Sequence, residues 1–153
     1  WNTHIKSLIS VEELEAFNAA GYTIGGMMIF PGNQIDRKWT INQARGCTKK
    51  IGDRFDLTLE CIRRHYVNEC SPLSKVLERY SRFFDLFQDF RGYVDFFLLQ
   101  DLVTVDCSVV KISAPFDDFS GSPIPADVHE YRAYKSDAVE FIEARNQRIL
   151  SSS

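Results

Sequence analysis

Between Asp53 and Tyr66 the apolar positions Phe55, Leu59, Ile62 and Tyr66 recur at steps of three and four, the spacing of a helix that turns one stripe inward. At about 100° per residue the charged residues Asp53, Asp56, Glu60, Arg63 and Arg64 fall in one band on its other side. The same periodicity returns at Leu73, Val76, Leu77, Tyr80, Phe83, Phe84 and Phe87. Ser71-Pro72 ahead of it reads as an N-cap followed by an N1 proline. Gly92 interrupts the run, so two helices meeting near residues 84–92 are expected. The segment 93–103 is apolar almost all round, which predicts a central helix covered on most sides.

Toward the ends the pattern is shorter. Ser10 with Glu13 three residues on forms a capping box, and Gly21 closes the helix it opens. Residues 22–30 have the length and apolarity of a strand, Pro31-Gly32-Asn33 supplies a turn, and Trp39-Thr40-Ile41 is the expected return strand. Gly25 and Gly26 point to a bulge or a close backbone approach within that hairpin. Residues 105–112 read as another short strand and the proline-rich stretch 113–126 as loop. Asp127 with Glu130 opens a final helix that runs to about Ile149. The sum is an α+β, mainly α-helical fold, with four or five helices around an aromatic core and one small β-hairpin.

Composition narrows this picture. A chain of 153 residues is expected to form a single domain, 1–153, whose core suffices without staples. Its four cysteines show no C-x-x-C spacing and are read as free, buried thiols. No residue set has metal-ligand spacing, and no cofactor is implied. A net charge of −3 gives no global attraction to nucleic acid, which is left open only through a local basic patch; partners are otherwise unknown. The twelve phenylalanines leave homo-oligomerisation open. No apolar run approaches the ~18–20 residues that span a bilayer, so no membrane association is expected and the cytoplasm is the expected location. The sequence begins at Trp1 and not at Met, which reads as processing or as the C-terminal part of a longer protein.

Three groups of residues could carry chemistry. Asp56, Glu60, Arg63 and Arg64 are the catalytic candidates, and two readings stand side by side. One is a solvated face laced by i,i+4 pairs. The other is a partly buried network lining a cleft, with carboxylates as base or metal ligand and arginines holding an anion. Arg45 and Lys49, with Lys50 nearby, form a small basic patch suited to anion binding. Asp101 and Arg145 fall in the apolar sectors of their helices, where each alone would be costly to bury; a structural ion pair between them is expected. His65 lies beside Arg54 on the helical wheel, away from the acidic row. The glycine-bearing segment 21–33 matches no phosphate-binding loop, and no nucleophile-elbow, zinc-protease or calcium-loop motif is present.

Long stretches nevertheless have a specific look. Tyr22-Thr-Ile-Gly-Gly-Met-Met-Ile-Phe-Pro-Gly-Asn, Thr40-Ile-Asn-Gln-Ala-Arg-Gly and Asp53-Arg-Phe-Asp-Leu-Thr-Leu-Glu-Cys-Ile-Arg-Arg-His-Tyr resemble a family of bacterial hypothetical proteins without assigned activity. The likeness continues through Phe90-Arg-Gly-Tyr-Val-Asp-Phe-Phe and Glu143-Ala-Arg-Asn-Gln-Arg-Ile. It implies members longer at the N-terminus and supplies no mechanism. An interaction or regulatory protein is the expected function; the alternative is an enzyme acting on a phosphate-containing or nucleic-acid substrate through the charged helix face.

Overall fold

Side chains that accept from the third amide of a helix set four of the helix starts. Ser10 accepts from Glu13 N at 3.1 Å, Asp89 from Gly92 N at 2.7 Å and Asp127 from Glu130 N at 2.9 Å. Thr40 and Gln43 form a reciprocal capping box. The computed structural model describes residues 3–113, 116 and 118–152. Along them run α1 (Thr3–Ser7), α2 (Val11–Gly21), α3 (Ile41–Cys47), α4 (Phe55–Tyr66), α5 (Ser74–Arg79), α6 (Ser81–Phe84), α7 (Phe90–Phe96) and α8 (Val128–Ser151). Short 3-10 turns stand at Ile24–Gly26, Asp85–Phe87 and Gln100–Leu102.

The described residues contain no sheet, so the expected α+β class and its hairpin are corrected to an all-helical fold. Two causes are visible. The threonine at position 40 caps a helix, with its own amide donating 2.9 Å to Gln43 Oε1, and this turns the intended return strand into α3. In the intended first strand, the carbonyls of Gly25 and Met27 accept from the Arg145 guanidinium at 3.0 and 2.8 Å. Those acceptors are therefore engaged by a side chain and not by a neighbouring strand. The third expected strand, over 105–112, is also absent from the described residues, where Val103 and Val110 make one isolated antiparallel bridge. Asp106 Oδ1, accepting from Thr104 and Ser108, holds the intervening loop.

The expected central helix over 93–103 also stops early. α7 ends at Phe96, and Leu98 adopts a left-handed φ of 55°. Arg145 Nε reaches Phe97 O at 2.9 Å across this break. The central position belongs instead to α4, in which every residue from Asp56 to Ile62 is buried. Leu57, Leu59, Cys61 and Ile62 meet Ile41, Ile51, Leu77, Phe84, Tyr93 and Val94 in the main core. The aromatic run forms a chain of edge and tilted contacts, from Phe83–Phe87 at 5.3 Å to Tyr93–Phe97 at 4.8 Å. The four cysteines are free, but only Cys61 is buried; Cys47 and Cys70 are exposed.

A smaller cluster, Ile5, Ile9 and Tyr131 with Leu14 and Phe17, seats α1 and α2 on α8. Glu13 reinforces it by pairing with Arg132 and Lys135. Nearby, Gly25 N donates 2.8 Å to Asn146 Oδ1 on α8. The close approach expected of the glycine pair is thus made to a helix and not within a strand.

Two outcomes follow. An added Cβ at Gly25 would lie 2.4 Å from Ile142 O and 2.7 Å from Asn146 Oδ1. Gly25→Ala should therefore destabilise by about 1–3 kcal/mol, the usual penalty of overpacking, seen as a lower urea midpoint. Gly32→Ala, with nothing within 4 Å, should stay within about 0.5 kcal/mol of the parent. The Glu13 carboxyl is lowered from 4.5 to about 2 by hydrogen bonds from Arg132 and Lys135. A depressed acid stabilises above its unfolded pKa and loses that contribution as pH falls through the folded one. Amide-exchange protection of α2 should accordingly decline between pH 4.5 and about 2, and Glu13→Gln should abolish that pH dependence.

Candidate functional site

Burying α4 on all sides places two carboxylates where few charges go: Asp56 is 5% exposed and Glu60 6%. Each is answered by arginine. Arg54, the N-cap residue of α4, donates from Nε to Asp56 Oδ1 at 3.0 Å and from its second terminal nitrogen to Oδ2. The same guanidinium reaches the carbonyls of Pro123 at 3.2 Å and Ser113 at 3.1 Å. It lies 4.5 Å from the Tyr134 ring centroid and 5.5 Å from that of Phe116. Asp56 also accepts from the amides of Leu57 at 2.9 Å and Ser113 at 3.0 Å. Four donors occupy the roughly four acceptor sites of an ionised carboxylate, which leaves none for abstracting a proton.

Glu60 is held in a similar way. Arg63 donates to both its oxygens, at 2.8 and 3.0 Å, and Arg64 adds a bond of 2.7 Å. Burial works to raise the Glu60 pKa, but the hydrogen bonds and charges of the two arginines outweigh it and hold the group below its ordinary value. Arg63 continues to Glu69 at 2.9 Å and Arg64 to Cys70 O at 3.2 Å. The predicted charged row is therefore present as a band, but it divides. Asp56 looks toward α8, while Glu60, Arg63 and Arg64 edge a separate shallow hollow with Ser108 and Asp118.

A second concavity lies where α2, the start of α4 and α8 meet. It is a cleft of about 280 Å³ walled by Phe17, Phe55, Tyr134 and Phe141. Arg45, Asp53 and Asp137 supply its polar rim, and Asp56 and Ser113 its floor. Arg45, with 14% of its side chain exposed, bonds Asp53 Oδ1 at 2.8 Å, Asp53 O at 3.0 Å and Thr58 Oγ1 at 3.1 Å. Burial pulls its pKa down and the Asp53 carboxylate opposes that. Asp53 stands in the left-handed region at φ 62°, directly after Gly52 at φ 58°, so the chain turns sharply into α4. Its side chain remains 67% exposed. Burial, with the nearby Asp56 charge, pushes the Tyr134 phenol up to about 12, so it stays neutral.

Lys49 does not converge with Arg45. It is exposed and lines a neighbouring hollow of about 670 Å³ with Arg54, Pro123 and Tyr134. The expected Asp101–Arg145 pair is replaced by two separate arrangements. Asp101 forms a two-bond pair with Arg148, at 2.7 and 2.8 Å, three residues farther along α8. Arg145, 4% exposed, is satisfied by the carbonyls of Phe97, Gly25 and Met27 and lies 5.6 Å from the Phe55 ring centroid. Carbonyl oxygens can solvate a buried guanidinium without a counter-ion, which is the possibility that helical-wheel reasoning left out. His65 packs against Phe84 at 5.0 Å, away from the acids. Among the described residues no group of three or more His, Cys, Asp or Glu side chains is placed to hold a metal ion, and no helix is long and apolar enough to cross a membrane.

Sequence reasoning missed Tyr134 and Asp137. Both belong to the helix that begins at Asp127, and only tertiary packing shows that they face Arg45 and Asp53. Arg54 was visible as the residue before α4, but its reach to Ser113 and Pro123 was not.

Fold and site together define an all-helical module whose buried carboxylates are paired with arginines and whose open cleft is aromatic. The chain belongs to DUF6994, a family of unknown function, which it matches over residues 2–149. Comparison with curated proteins and with solved structures found no match.

The buried pair under the cleft has a measurable role. Arg54→Ala would remove the ion-pair partner of the buried Asp56 carboxyl, a change that usually destabilises by about 3–5 kcal/mol. Chemical denaturation should show a loss of that size. A loss below about 1 kcal/mol would mean that the pair does not anchor the fold.

Proposed function

We propose that this protein acts by binding, as an interaction or regulatory module, with the cleft between α2, α4 and α8 as its ligand site. The observation that carries the reading is the contrast between the two sets of polar groups. Asp56 and Glu60 have their oxygens engaged by three or four donors each. The cleft beside Asp56 has an open, polar rim and aromatic walls, the usual make-up of a small-molecule site. Catalysis on phosphate-containing or nucleic-acid substrates through the charged row has less support. Its carboxylates are committed to arginines, and Arg45 and Lys49 line different hollows. A cytoplasmic setting belongs to the same reading, and free thiols at Cys47, Cys61, Cys70 and Cys107 suit it.

The test is a thermal-shift screen of a chemically diverse small-molecule library. A ligand at a hundredfold excess over its Kd contributes about 2.7 kcal/mol, or roughly 5–10 °C in Tm for a domain of this size. Ala138 lines the cleft, so Ala138→Trp should fill it and remove the shift while leaving the variant folded. Hits that shift parent and variant equally would place binding elsewhere and overturn the reading.

A further inference from the structure

We infer that the cleft selects a small organic cation, an ammonium group carried on an aryl or alkyl body. This inference rests on the binding reading above and gives it a ligand class. The charges around the cleft do not balance. Asp56 is neutralised from behind by Arg54, and Asp53 by Arg45. Asp137 is exposed and makes no ion pair among the described residues. The rim therefore carries one uncompensated negative charge. Lys135, close by on α8, is paired with Glu13, and Lys111 in the adjoining hollow donates to Asp101 O at 3.3 Å. Glu140, next along that hollow, adds another carboxylate.

Ligand geometry follows from the same residues. Phe17, Phe55, Tyr134 and Phe141 offer an apolar slot, which gains about 25 cal/mol for each Å² of ligand surface removed from water. The cation sits at the mouth, on Asp137, with the exposed Asp53 carboxylate on the same rim. An anionic ligand would have to displace Asp53 from Arg45 and then face Asp137. A volume of about 280 Å³ is at the small end of ligand sites, which run from roughly 300 Å³ upward, and suits a single ring or a short chain.

Isothermal titration calorimetry of the full chain with three probes of one shape decides the matter: phenethylamine, 3-phenylpropionate and 2-phenylethanol. Phenethylamine should bind about tenfold more tightly than the alcohol, the worth of one charge-assisted hydrogen bond, and the acid should bind most weakly. Asp137→Asn should remove that advantage. Glu143→Gln, an exposed acid on α8 that does not line the cleft, should keep it. Tighter binding of the acid, or an unchanged amine affinity in folded Asp137→Asn, overturns the cation assignment. If none of the probes binds but a library ligand is excluded by Ala138→Trp, the cation assignment fails and the binding reading survives. If nothing binds at all, both fail.

Discussion

At the first turn of α4 a guanidinium and a carboxylate are buried together, and three stretches of chain meet on them. Arg54 and Asp56 belong to the central helix; Ser113 and Pro123 belong to the irregular segment leading to α8; Tyr134 belongs to α8 itself. An ion pair taken out of water gains little by itself, because desolvation offsets most of the Coulomb attraction. What it does here is fix position. Each oxygen of the carboxylate accepts from one backbone amide, and two of the four guanidinium hydrogen bonds go to backbone carbonyls, so the segment near Ser113 can lie against α4 in one arrangement. The floor of the aromatic cleft is built from that arrangement.

Arg145 repeats the device without a carboxylate. Its donors gather the carbonyls of the 24–27 turn and of Phe97 at the end of α7, so α8 acts as a spine that holds two non-repetitive segments. Burial lowers the pKa of this arginine, and the three carbonyls take the place of the water it gives up. Local backbone that lacks a sheet or helix ladder is thus satisfied by long-range side chains. The fold is helical by element and irregular by connection.

That division explains what the sequence made legible. Short-range chemistry was readable: Ser10 with Glu13 and Asp127 with Glu130 cap the helices they were expected to cap, and the 53–66 periodicity marks α4. Its charged residues do not stay together as one row: Asp53 precedes the helix, Asp56 lines the cleft, and Glu60, Arg63 and Arg64 edge a separate hollow, because Ser113 and Pro123, which belong to no periodic stretch, pack on Arg54 and Asp56. The hairpin failed for a related reason. An apolar run of strand length is ambiguous in isolation, and here its carbonyls are claimed by a residue near the far end of the chain. Thr40 with Gln43 was a legible capping box that was passed over. Asp101 was assigned a partner on the correct face of α8 but one turn short, since spacing fixes a face and not which of two arginines reaches.

The wide sequence separation of the Arg145 contacts has a bearing on synthesis. Gly25 lies 120 positions before the guanidinium that donates to its carbonyl, and Met27 118. A nascent chain emerging from the ribosome therefore carries the uncharged stretch Met27-Met28-Ile29-Phe30 without its anchor until almost all of α8 has been translated. Transiently exposed apolar segments of this kind invite chaperones and intermolecular association.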